Sequence, residues 1–237
     1  MKANRLVLLA VGVTSLLALS GCARSGDVAA RVGSTTVPTS DVDFLTKVQC
    51  GILDKARSSG QSQAVPISQV RIQWVNALVE AELNRQLAAR DDISYDRATL
   101  RSAMDQFEPT LQQAPAKDRD RTRQMIEAIY RGQLQVVAVA DKQLADKGVS
   151  EPSEDQVRAA VTKILADFRK KVDVEVNPVY GPDAADAAGS VDPSLSRAVS
   201  SYARHSVERP PSQSTPEDVA QKYTTWVDGL PADQRCG

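Results

Sequence analysis

Between residues 66 and 87 apolar side chains recur at helical spacing. Val75, Val79, Leu83 and Leu87 form one four-spaced row, and Val70, Trp74 and Leu78 form the row beside it. That spacing is the period of an α-helix. Two adjoining rows make a face too broad for one neighbour, so the helix predicted here, starting at 66–68, is packed on two sides. Asn76, Glu80 and Asn84 mark its expected wet side. Trp74 lies on the apolar face and is expected to be a core residue rather than a cofactor contact.

The same pattern places the other elements. Val28-Ala29-Ala30-Arg31-Val32 and Thr35-Thr36-Val37 flank Gly33-Ser34, a hairpin signal. After Pro38, Thr39 or Ser40 is placed to cap a helix carrying Phe44, Leu45, Val48 and Ile52, with Asp41 and Asp43 near its positive end. The Ser/Gly/Gln-rich stretch 58–63 ends it as a loop. A shorter helix is predicted over 95–107, stopping at Pro109, and 112–117 reads as a linker with Pro115. A long helix over 118–147 carries Met125, Ile129, Val136, Ala140 and Leu144, with Ile126, Tyr130 and Leu134 alongside; Gly148 suits its C-terminus. Ser153 with Gln156 is a capping box opening a helix faced by Val157, Val161, Ile164, Leu165 and Phe168.

Val172, Val174 and Val176 then alternate with Asp173, Glu175 and Asn177, the pattern of a strand with one buried face, ended by Asn177-Pro178. A lone strand is unstable, so it requires the 28–37 hairpin as its partner. The expected fold is mainly α, a helical array with a small β-sheet built from the N-terminal hairpin and a strand after the last core helix. Residues 182–214 are rich in Ala, Asp, Ser, Gly and Pro and read as a linker or low-order segment. Thr215-Pro216-Glu217-Asp218 is a helix start, with Thr215 as cap and Pro216 as first helical residue. Val219, Tyr223, Trp226 and Val227 give that last helix an apolar face that must dock on the domain, and Gly229 and Pro231 stop it.

Composition changes this picture at the N-terminus. Lys2 and Arg5 precede an apolar run over 6–19, and Leu19-Ser20-Gly21-Cys22 closes it. A basic start, a short apolar stretch and small residues before the cut are the parts of an export signal. The run falls short of the roughly 20 residues that span a bilayer and is diluted by Gly12, Thr14 and Ser15, so a plain transmembrane anchor is the weaker reading. The Cys at the cut resembles a bacterial lipobox, which implies a diacylglyceryl group on Cys22 and anchoring on the extracytoplasmic face of the cell membrane. Removing residues 1–21 takes away Lys2 and Arg5 and no acid, leaving 27 basic against 30 acidic residues, a net charge of −3. Acids and bases are interleaved, without the basic stripe that nucleic-acid binding needs.

With Cys22 lipidated, Cys50 and Cys236 remain as an even pair in an oxidising setting. An intramolecular disulfide is the expectation; two free thiols or an intermolecular bridge are the alternatives. The chemistry of catalysis is not visible. The only histidine, His205, stands among Ser and Arg in the linker, and no metal-binding, nucleophile-elbow or phosphate-loop motif occurs. Asp91-Asp92 and Asp118/Asp120 read as surface charges. Neither a catalytic residue nor a metal or cofactor is expected.

The segment 28–42, VAARVGSTTVPTSDV, is similar to the opening strand, turn, second strand and helix start of the N-terminal domain of the SurA and PrsA foldases. Gly33-Ser34 stands where that family usually has Asn-Gly. Val174-Glu175-Val176-Asn177-Pro178-Val179-Tyr180-Gly181 resembles the V-N-P-R-Y-G stretch of SurA-N-like lipoproteins, with Val179 in place of the Arg. The resemblance spans about residues 27–182. It implies a SurA-N-like domain over 28–181, which with the readings above gives a signal peptide over 1–21, a tether over 22–27, the 182–214 segment and a docked C-terminal helix over 215–237. It also implies a holdase binding unfolded or exported polypeptides. The prolyl isomerase domain that follows in the foldases has no counterpart after Gly181, and isomerase activity is not expected. A scaffold or partner-binding envelope lipoprotein is the alternative function; oligomeric state stays open.

Overall fold

The computed structural model describes residues 26–181, 211 and 215–237. The fold is mainly helical, with a small antiparallel sheet formed by an N-terminal hairpin and a late strand. Strands β1 (Val28–Val32) and β2 (Thr35–Pro38) make the hairpin. Gly33 takes φ +58° at the first turn position, which a two-residue primed turn reserves for glycine. Helix α1 (Thr39–Ser58) follows without a loop. A two-residue strand β3 (Val65–Pro66) leads into α2 (Ile67–Asp91). Then come α3 (Arg97–Gln113), α4 (Arg119–Ala145), α5 (Glu154–Arg169) and β4 (Val174–Val176). The described chain ends in α6 (Glu217–Asp228) and β5 (Arg235–Cys236).

β1 is the central strand, with β2 on one side and β4 on the other, both antiparallel. Ala29 and Val32 of β1 are buried completely, and Val37, Val42 and Val174 complete the contact of the sheet with the helices. Asn177 closes the sheet: its amide donates to the Val28 carbonyl at 3.0 Å, its backbone N–H to Ala29 O at 2.8 Å, and its side-chain oxygen accepts from Val179 N. Glu82 and Gln86 of α2 hold the hairpin turn. Gln86 donates to the Val32 carbonyl at 2.9 Å and to Glu82 at 2.8 Å. Burial drives the Glu82 carboxyl up, but hydrogen bonds from Arg85, Gln86 and Thr35 together outweigh it and hold the group below its ordinary value.

α2 is the hub. Val75, Val79, Leu83 and Leu87 are its buried row, packed with Val136, Val139 and Ala140 of α4 and Ile164 and Phe168 of α5. The wet side expected at Asn76, Glu80 and Asn84 is corrected here: Asn84 is 0% exposed and the other two are half-buried. The reason is Gly132 of α4, which lets the two backbones approach; a Cβ there would meet Ala81 O at 3.1 Å and the Asn84 Cβ at 3.3 Å. Neither amide atom of Asn84 finds a partner, a cost of about 1–3 kcal/mol per orphaned group.

Four local expectations are also revised. α3 continues through Pro109 to Gln113. The missing N–H leaves the Asp105 carbonyl on an exposed face, while Leu111 beyond it is buried against the α3–α4 cluster of Leu100, Met104 and Ile126. Burying a leucine contributes about 1.5–3 kcal/mol, comparable to the roughly 3 kcal/mol a mid-helix proline costs. The linker begun at Gln112 therefore shrinks to Ala114-Pro115 and a 3-10 turn at Ala116–Asp118. Neither Thr39 nor Ser40 caps α1: Pro38 holds the cap position, and the Thr39 hydroxyl donates instead to the Gly26 carbonyl at 3.0 Å. Likewise Pro216, at φ −54° and ψ 141°, is the boundary residue of α6 in place of Thr215. The Ser153–Gln156 capping box is present.

The C-terminal segment lies on α1 and β3. β5 pairs with β3 through Val65–Cys236 and Pro66–Arg235, a second small sheet with no signal in the hydrophobic pattern. Val227 and Leu230 are buried. Arg57 of α1 grips the segment at two points, donating to the Asp228 carboxylate at 2.9 Å and to the Gly237 carbonyl. Asp54 accepts from the Gly237 N–H at 2.6 Å.

Candidate functional site

α1 brings Leu45, Val48, Gln49, Ile52 and Leu53 onto one face, at helical spacings of three and four. Gln73, Trp74 and Ala77 of α2 stand opposite, Phe107 and Thr110 of α3 form a third wall, and Thr122 and Ile126 come from α4. Together they enclose an open groove of about 440 Å³. Its floor is buried at Leu45, Val48 and Ile126, and its walls are half-buried at Ile52, Leu53, Trp74 and Phe107. Among the described residues no charged side chain lines it. The Thr122 hydroxyl is spent within its own helix on the Asp118 carbonyl at 2.8 Å.

The groove stays open because α3 is held from the far side. Its cluster with α4, joined by Tyr95, Phe107, Tyr130 and Leu134, is separate from the main core, and among the described residues Trp74 alone packs against both. The Glu108–Arg123 ion pair at 2.5 Å fixes α3 to α4, and hydrogen bonds from Gln112 and Arg123 hold the Glu108 carboxyl below its usual range. Lys55 of α1 reaches the Gln113 carbonyl at 2.7 Å and bridges one end of the groove. α4 is tied to α1 by Arg121, which lies 4.1 Å from the Phe44 ring centroid and 2.7 Å from Asp41.

A second concavity of about 660 Å³ adjoins the first and shares Gln49, Leu53 and Gln73 with it. It lies between α1, β3, α2 and α6, and Glu217 is its one charged residue among the described residues. Gln69 there donates to the Tyr223 hydroxyl, which joins α2 to α6. A third, of about 550 Å³, contains the Asp43–Arg71 ion pair and Tyr180, whose hydroxyl is raised by burial.

Of the residues singled out in the sequence, Cys22 and His205 lie outside the described residues. Cys50 of α1 and Cys236 of β5 are joined as a disulfide, with Cα atoms 4.6 Å apart. Asp91, Asp92, Asp118 and Asp120 sit at helix ends, and the Arg90 hydrogen bond lowers the Asp91 carboxyl. Among the described residues no group of three His, Cys, Asp or Glu could hold a metal ion, and no helix is long and apolar enough to cross a membrane. Sequence reasoning did not reach the groove as a site. Its α1 wall was visible as an apolar stripe, but Phe107 and Gln73 belong to elements whose approach to α1 no local pattern encodes. Comparison with protein-family models, with curated proteins and with solved structures finds no match to the chain.

Proposed function

We propose that the protein is a lipid-anchored extracytoplasmic holdase, which binds non-native exported polypeptides without catalysing prolyl isomerisation. The observation that carries this reading is the uncharged groove between α1, α2, α3 and α4. Four helices converge on it, yet aliphatic and aromatic side chains remain open to solvent. A buried aliphatic or aromatic side chain contributes about 1.5–3 kcal/mol, so one anchor residue per groove gives weak, rapidly reversible capture. Holding a client without trapping it requires that regime. The lipobox-like end at Cys22 supports the location, since a diacylglyceryl group supplies the two chains that lasting attachment needs.

The test uses the soluble form lacking residues 1–22. At near-stoichiometric ratio it suppresses light scattering by a thermally unfolding client and leaves the isomerisation rate of a proline peptide unchanged. Ile52→Asp, which puts a charge into the groove wall, abolishes the suppression while the far-UV circular dichroism stays native. Suppression by Ile52→Asp equal to wild type removes the groove from the reading; failure of the wild type with several clients favours a scaffold role.

A further inference from the structure

Gln49, Gln63, Gln73 and Gln221 all line the second concavity; Gln49 is half-buried and the other three are exposed, so their carboxamides face solvent and make no hydrogen bond within the described residues. They come from four places: α1, the loop before β3, α2 and α6. Two of them, Gln49 and Gln73, also stand at the lip of the apolar groove. Resting on the holdase reading, we propose that the two concavities form one peptide-binding site. In it the apolar groove takes a bulky side chain and the glutamine-lined slot binds the main chain of an extended, uncharged segment.

The argument is one of chemical complementarity. A carboxamide offers two N–H donors and a carbonyl acceptor, the same groups that an extended peptide unit leaves unpaired. An apolar socket alone selects for side chains; neutral amides beside it select for backbone, which every polypeptide carries. Among the described residues the groove lining has no ionised group and the slot has one, Glu217, so charge selection is weak. Both concavities meet across Gln49, Leu53 and Gln73, so an anchor side chain and its own flanking peptide groups are reached together. Clients are then recognised as unfolded chain, with one apolar residue needed and little demand on the sequence around it.

The experiment measures binding by fluorescence anisotropy of a labelled, uncharged twelve-residue peptide of Thr, Ala and Val with one central Phe. A second peptide is identical but N-methylated on either side of the Phe. The wild type binds the first peptide roughly ten-fold more tightly than the second, as expected for the loss of one or two hydrogen bonds. Its affinity changes less than two-fold between 50 mM and 500 mM salt. The double variant Gln49→Leu/Gln73→Leu, with thermal stability as in the wild type, binds the first peptide about ten-fold more weakly and no longer distinguishes the two. Equal or tighter binding by the double variant, with binding lost in Ile52→Asp, overturns main-chain recognition and leaves the groove reading standing. Absence of peptide binding by the wild type overturns both.

Discussion

Cutting the Cys50–Cys236 bridge tests how the C-terminal segment is held. The bond closes a loop across a sequence separation of 186 residues, and a cross-link of that span removes about 5 kcal/mol of unfolded-state entropy in the loop-closure model. Without it, residues 215–237 hold on through Val227 and Leu230, the Arg57 contacts and the β3–β5 pairing. Ordering those residues costs roughly 1–2 kcal/mol each, so the segment in Cys50→Ala detaches before the helical body unfolds. Part of the loss then appears locally, and the global loss falls to about 2–5 kcal/mol. Urea unfolding followed by circular dichroism measures it: with a slope of about 2 kcal/mol per molar, the midpoint drops by roughly 1–2.5 M. Limited proteolysis gives the second readout, with cleavage within 215–237 appearing in Cys50→Ala and in reduced wild type. Coincident transitions and equal protease resistance for oxidised wild type and Cys50→Ala would refute the reasoning.

The crossing of α2 and α4 is already tight for a Cβ at Gly132 and leaves little room for a larger side chain, since the nearest atoms include the Ala81 backbone. Gly132→Leu is expected to destabilise by about 1–3 kcal/mol despite better helix propensity, measurable by thermal unfolding. Glu82, held below its ordinary value, contributes stability that is fully present above about pH 4.3 and is lost as pH falls through the lower folded-state value. Acid titration of stability is therefore shallower in Glu82→Gln than in the wild type; identical profiles would remove Glu82 from the hairpin contact. Cys22→Ala is expected to abolish membrane attachment or leave the precursor uncut, read by fractionation and intact mass, and normal attachment with an unmodified Cys22 would contradict the lipid anchor.

Periodicity decided most of the elements, because period and capping chemistry are local. The four-spaced rows of α2, the Ser153–Gln156 box and the Val174–Val176 alternation need only their own neighbours to be read. The need for a partner to β4 followed as well, since a lone strand leaves its backbone groups unpaired. Local rules failed where a remote contact outweighed them. Pro109 sits inside α3 because Leu111 is buried against α4, and Asn84 is dry because Gly132 lies opposite, on a helix nearly fifty residues away. Apart from the apolar stripe of α1 and Trp74, the candidate site belongs to this second kind. Leu53, Gln73 and Phe107 carry no shared pattern, and only the packing of α3 onto α4, away from α1, leaves a gap for them to line. A helix's own sequence specifies which face is apolar; how far that face is covered depends on the partners that reach it in three dimensions.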